Sequence, residues 1–159
     1  MVIIKIILIV ALIMVFIQDR KDREVYWFLF PIIAFATGVL LYNSMLPELF
    51  YITLIINLLF IIILFTVVFL YSKFKLRTTI TDTFGLGDGL MFMALAFTFS
   101  SISFMILFVF GLIFSLIIHV IFKKKSKHKT VPLAGYLSLY FIIIYISYWL
   151  GITPNIYTI

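Results

Sequence analysis

Long apolar runs, broken by short charged stretches, set the first expectations for this chain. The runs cover roughly 2–18, 26–42, 48–71, 88–122 and 131–151. Most suit one membrane crossing, which takes about 20 apolar residues. The run 88–122 has 35 residues. As one helix it would be about 52 Å long at 1.5 Å per residue, against a hydrocarbon core of ~30 Å. It is therefore expected to fold back on itself. Its only polar cluster is Ser100, Ser101 and Ser103, which predicts the turn there. The first half, Asp88 to Phe99, is then 12 residues long. So short a helix can start below the membrane surface and draw Asp88 into the edge of the bilayer. The pattern predicts an all-α, polytopic membrane protein with six transmembrane helices.

Local signals fit these boundaries. Pro47 and Pro132 stand near the starts of the third and sixth spans, where a missing N–H costs little. Asn43, Ser44 and Thr130 are available as caps. Pro31 falls early in the second span and is expected only to bend it.

Composition narrows the class further. Hydrophobic residues make up 65% of the chain and charged residues only 11%, more apolar surface than a soluble domain of this length needs. The reading is one membrane-embedded domain, 1–159. Residues 1–17 carry one Lys, no small-x-small cleavage site, and a charged cluster directly behind. They are expected to be a retained first helix rather than a signal peptide. The chain has no cysteine, which excludes disulfides, thiolate metal sites and a cysteine nucleophile. His119 and His128 are too few for a histidine-based metal site, so no metal and no cofactor is expected.

Charge supplies the orientation. The net charge of +6 is more simply membrane topology than nucleic-acid binding, and no nucleic-acid partner is expected. With six spans, three loops on one side hold Arg20/Lys21/Arg23, Lys73/Lys75/Arg77 and Lys123/Lys124/Lys125/Lys127/Lys129. That is 11 of the 12 basic residues, leaving Lys5. The positive-inside rule makes that side cytoplasmic. Both termini, and the loop from Asn43 to Glu48, are then outside, in the plasma membrane of the cell. The lysine-rich loop could also attract acidic lipids, but topology alone accounts for it.

Two carboxylates stand out on the cytoplasmic side. Asp19 is the first charge after the first apolar run, in Gln18-Asp19-Arg20-Lys21-Asp22-Arg23-Glu24. The bland account is a solvated loop, for which Asp22 would serve as well. Gly85-Leu86-Gly87-Asp88 carries the second at the join of a basic loop and an apolar run. Its bland account is a glycine turn with Asp88 as a helix N-cap. Its functional account gives Gly85 and Gly87 a purpose. Lacking Cβ atoms, they let another segment approach closely or let Asp88 shift toward a partner. A charge entering the bilayer is costly, roughly 2.5–3.5 kcal/mol on translocon scales, and points to function. Two carboxylates at one face can share a proton and activate a water, as in aspartic proteases. Which one holds the proton is not assignable from the sequence. Asp82 is expected to be solvated. His119 is expected to cap or pack, Asn57 and Thr66 to make interhelical hydrogen bonds, and the phenylalanines and tyrosines mostly to pack or face lipid.

These segments resemble a known family. Asp19-Arg20-Lys21-Asp22-Arg23-Glu24-Val25 is similar to the D-x-K-x-R-x-I segment after the first helix of type IV prepilin peptidases and archaeal preflagellin peptidases. Gly85-Leu86-Gly87-Asp88 is similar to their G-x-G-D motif. Val131-Pro132-Leu133-Ala134-Gly135-Tyr136-Leu137 resembles the proline-containing start of their last helix. G-x-G-D alone is a weak signal; three segments in order, with six spans, are more specific.

The resemblance implies a membrane aspartic endopeptidase with Asp19 and Asp88 as its catalytic pair. Its substrates would be leader-bearing prepilin-like or preflagellin-like membrane proteins, cut at the cytoplasmic face. Two departures bear on subfamily: Tyr26-Trp27 where Pro-Asn is frequent, and Gly89-Leu90 where Val-Lys often follows the second Asp. The cysteine-containing cytoplasmic domain of many bacterial members is missing, and with it that domain's metal site. Presenilin and signal peptide peptidase also use G-x-G-D, but with about nine spans, a Tyr-Asp first motif and a Pro-Ala-Leu motif. A different class, a non-enzymatic carrier or assembly subunit, stays open. A carrier would more plausibly keep its ionisable residues near the midplane and show repeated halves.

Overall fold

The computed structural model describes residues 1–76, 85–122, 131–153 and 155–157. Among them the regular structure is entirely helical. Helix α1 is Val2–Lys21, α2 Leu29–Tyr42, α3 Pro47–Tyr71, α4 Leu86–Leu95, α5 Ser101–Phe122 and α6 Leu133–Trp149. A π-helical turn, Ser72–Leu76, continues α3. Three helical stretches are long and apolar enough to cross a membrane: Val2–Lys21, Pro47–Phe74 and Ser101–Phe122. The other three are shorter and apolar.

The run 88–122 does break, at Ser100 and the four residues before it. Helix α4 ends at Leu95 and the turn occupies 96–100, so Ser101 and Ser103 open α5 rather than forming the bend. At 10 residues, α4 is about 15 Å long. The carbonyls at its end would be unsatisfied in an apolar interior. Those of Met93, Ala94 and Leu95 accept from the N–H groups of Ala96, Phe97 and Thr98, and Asn57 on α3 holds the turn that follows. Its Nδ2 donates to the oxygens of Ala96 at 3.0 Å and Phe99 at 3.1 Å. Asn57 is fully buried, so its amide acts as an interhelical clamp. Thr66, by contrast, donates only to Ile62 within its own helix.

Other local expectations differ in detail. Asn43 and Ser44 donate back to Val39 and Leu40, closing the end of α2 rather than starting α3. Pro47 takes the first position of α3, and Pro132 is the residue before α6. Arg77, Asp82, the Lys123–Lys129 run, His128 and Thr130 lie outside the described residues.

Close contacts fix which helix ends lie together. Lys5 sits over the Trp149 ring at 4.9 Å, while Asp19 meets Gly135; α1 and α6 are therefore antiparallel. A Cβ on Gly87 would touch Phe30, and one on Gly38 would touch Phe97, so α2 and α4 run parallel. Arg20 lies over Phe122 at 5.8 Å. Thus the end of α1, the starts of α2, α4 and α6, and the end of α5 meet at one end of the bundle. Aromatic side chains fill the interior between α3, α4 and α5, with Phe92 and Phe108 centroids 4.8 Å apart and Phe60 edge-on to Phe104. Helices α5 and α6 pack closely because Gly111 has no side chain; a Cβ there would fall 2.9 Å from Leu137 Cδ2.

Candidate functional site

The start of α6 receives two acidic residues, Asp19 and Asp88. The first N–H groups of any helix have no intrahelical partner. In α6 two of these are taken by carboxylates from two other helices. Gly135 N–H donates to Asp19 Oδ2 at 2.6 Å, and Ala134 N–H donates to Asp88 Oδ1 at 2.8 Å. Neighbouring amides on one helix thus bring Asp19 and Asp88 side by side. The N-terminal end of the α6 dipole favours negative charge at the same place.

Asp19 is not a loop residue. Helix α1 runs on to Lys21, so Asp19 lies in its last turn, and it is only 7% exposed. Asp22, the alternative in the same segment, caps the end of α1 and is exposed. Burial, not distance from the apolar run, separates the two. Gly135 is what lets Asp19 come so close. A Cβ at Gly135 would sit 3.1 Å from Asp19 Oδ2, 3.2 Å from Asp19 Cβ and 3.4 Å from the Phe16 carbonyl oxygen.

Asp88 is not the N-cap of its helix. Gly85 holds that position and Asp88 lies two residues inside, in the first turn of α4. Its carboxylate is partly buried and turns to α6 rather than to its own helix end. The two glycines of the motif differ in role. A Cβ on Gly85 would lie 3.2 Å from Asp88 Oδ2, so Gly85 gives the carboxylate room. A Cβ on Gly87 would meet Phe30 at an ordinary 3.9 Å, and close approach does not explain that glycine.

Arg23 follows the end of α1. Its φ is +61°, in the region that favours glycine, at a cost on the order of 1 kcal/mol or more. Its Nε and Nη1 are buried and have no hydrogen-bond partner among the described residues. Its positive charge acts on both carboxylates, and the charges of Asp19 and Asp88 oppose each other. The turn carrying Arg23 is tied to α1 by the Tyr26 N–H, which donates to Gln18 Oε1 at 3.1 Å.

Each carboxylate has one oxygen bound to an α6 amide. The other, Asp19 Oδ1 or Asp88 Oδ2, has no hydrogen bond among the described residues. That leaves two acidic oxygens free to hold a water or a peptide. Among the described residues no group of three His, Cys, Asp or Glu side chains could hold a metal. An apolar groove of ≈ 340 Å³, lined by Gly38, Phe50 and Phe97 among others, lies toward the far end of α2 and carries no acidic chemistry.

Asp19, Asp88 and the two glycines stand out in the sequence, whereas the roles of Ala134 and Gly135 do not. The latter two act through backbone N–H groups, which leave no mark in residue type. The one available signal was the Pro132 helix start, since such a start exposes free amides. No protein-family model, no curated protein and no solved structure matches this chain.

Proposed function

We propose that this protein is a membrane aspartic endopeptidase that removes leaders from prepilin-like or preflagellin-like precursors. The observation that carries the reading is the pairing of Asp19 and Asp88 on adjacent amides of α6. In this mechanism one carboxylate is ionised and the other protonated, as like charges at close range demand. A water lies between their free oxygens. The ionised carboxylate takes a proton from the water as its oxygen bonds to the scissile carbonyl carbon. The protonated carboxyl gives its proton to the carbonyl oxygen. The tetrahedral species then collapses: the C–N bond breaks, the leaving nitrogen takes the proton held by the pair, and a hydroxyl proton of the intermediate returns to the pair, which again shares one proton. The α6 amides keep both acids aimed throughout.

The membrane arrangement belongs to the same proposal. All six helices cross the bilayer, α4 together with the turn that follows it. Arg20, Lys21, Arg23 and the basic end of α3 lie with the carboxylates, so by the positive-inside rule that end is cytoplasmic. Both termini are outside. The substrate presents basic leader residues, then a small residue, then an apolar helix that rests against the enzyme's spans.

The test is incubation of purified protein with a panel of leader-bearing precursors, with products identified by mass spectrometry. Cleavage at one bond near the leader's end, lost in Asp19→Asn and Asp88→Asn, is the expected result. No cleavage of any precursor, or equal cleavage by all three proteins, returns the chain to the non-enzymatic class.

A further inference from the structure

Helix lengths sort by direction. Helices α1, α3 and α5, which run toward the carboxylate end, have 20, 25 and 22 residues. Helices α2, α4 and α6, which start there, have 14, 10 and 17. At 1.5 Å per residue α2 is about 21 Å long, against a hydrocarbon core of ~30 Å. Tilt fits a long helix to a thinner layer, but nothing stretches a short one. The outer face of α2 is apolar from end to end. Phe28, Ile32, Phe35 and Tyr42 are exposed and Val39 half-buried, at the spacing of one helix face. In its outer half this stripe opens into the apolar groove, where Phe35, Val39 and Tyr42 line one side and Phe50 and Phe97 the other.

The stripe has sharp borders. Asp22 and Glu24 are exposed just before it, and Asn43 and Ser44 just after it. Amphipathic aromatics mark both borders: Tyr26 and the 71% exposed Trp27 at one, Tyr42 and Tyr51 at the other. Tyr26 stacks on Phe28 at 5.5 Å, and Tyr42 is edge-on to Phe50 at 5.3 Å. Such rings favour the membrane–water boundary, where one end is apolar and the other wet. Arg20 and Lys21 are exposed at the Trp27 border, the charge that suits lipid phosphates. A partner helix would need small residues for close approach, and the side chains of this stripe are large. Lipid chains need only a smooth apolar face between two wet borders.

We propose that the α2 face is a phospholipid-contact surface about 21 Å tall, against which the bilayer thins, and that this seats Asp19 and Asp88 at the depth of the lipid headgroups. The Trp27 border is tied to the level of the acids. Tyr26 N–H donates to Gln18, the residue before Asp19, and the Phe30 ring lies against Gly87, the residue before Asp88. Water reaches headgroup depth but not the hydrocarbon core. The height of this border therefore decides whether the free carboxylate oxygens are wet. The proposal rests on the membrane-spanning part of the preceding reading and not on its peptidase chemistry.

The test reads depth by fluorescence. The chain has only two tryptophans, Trp27 and Trp149, so Trp149→Phe leaves Trp27 as the single reporter. Trp27→Phe with Trp149→Phe and Tyr42→Trp puts one reporter at the other border. Each full-length protein is placed in dioleoyl phosphatidylcholine vesicles carrying a nitroxide on the headgroup or near the acyl methyl end. Both reporters should be quenched several-fold more by the headgroup label. A Tyr42→Trp reporter quenched mainly by the deep label, with Trp27 shallow, overturns the thinning and leaves the membrane reading standing. Iodide quenching of both reporters, with neither lipid label effective, removes the crossing by α2 and the proposal with it. Thermal unfolding of the unmodified chain gives a reading free of substitutions. Its midpoint should be several degrees higher in dimyristoleoyl phosphatidylcholine than in the longer dierucoyl lipid. An equal midpoint, or a higher one in the longer lipid as the long α3 would favour, overturns the proposal. Cleavage enters none of these measurements, so failure of the protease reading leaves them unchanged.

Discussion

The Asp19 carboxylate and the Gly135 amide meet at 2.6 Å, and a Cβ on Gly135 would be crowded by Asp19 at 3.1–3.2 Å. A methyl there would push against Asp19 Oδ2 and Cβ at once, with the Phe16 backbone behind them. The Asp19 side chain would have to give way, off its place on the α6 amide. Gly135→Ala is expected to reduce cleavage roughly 100-fold, the usual effect of misplacing a catalytic group by about 1 Å. Overpacking should also cost about 1–3 kcal/mol of stability. A variant with the unmodified rate would show that Asp19 need not lie against α6.

Asp19→Asn and Asp88→Asn should each abolish cleavage while the protein still inserts and elutes as a folded species. An amide accepts the same backbone hydrogen bond but cannot exchange the proton. The double variant should be little worse than either single one, because groups acting as a unit are not additive. Asp22→Asn should keep most activity, as that side chain is exposed. Asp82→Asn, outside the described residues, is expected to behave like it. Kinetics with one precursor across these variants decides the point.

Asn57→Leu removes both hydrogen bonds that α3 makes to the turn after α4. Two buried carbonyls lose their partner at about 1–3 kcal/mol each. Part of this is recovered because the buried Asn57 Oδ1, itself without a partner, is removed too. A net loss of about 2 kcal/mol is expected, read as a lower unfolding midpoint in detergent. An unchanged midpoint would mean the turn at 96–100 holds by packing alone.

Orientation is open to direct chemistry because the chain has no cysteine. Single cysteines at Glu24 and Ser44, both exposed and at opposite ends of α2, should react with an impermeant maleimide from opposite sides of the membrane. Glu24→Cys should react only from the cytoplasmic side. Labelling of both from one side would remove the membrane crossing by α2 and the cytoplasmic site with it.

Much of the helical layout was legible from the apolar runs, because a helix that meets lipid needs a long apolar sequence and shows it. The break in 88–122 followed from length alone. Its location was legible only in part: Ser100 lies in the turn at 96–100, while Ser101 and Ser103 open α5. The serines drew the eye, while the turn is stabilised by Asn57, a residue on another helix. The two acids were legible as rare charges at run ends. That Asp19 is helical and buried, and Asp22 exposed, depends on α6 covering one side of α1, a tertiary fact. The amides of Ala134 and Gly135 carry no signature in residue type. Arg23 looked like one of three loop cations until its burial set it apart.

The α6 amides have a further consequence for biosynthesis. Asp19 and Asp88 are both made before Ala134 and Gly135 emerge from the ribosome. Until α6 is synthesised and docks, neither acid has its backbone donor, although α2 already packs against both α1 and α4. In the protease reading, hydrolytic competence therefore arrives late and all at once. A partly made chain already in the membrane carries both acids yet cannot cut the precursors being inserted beside it.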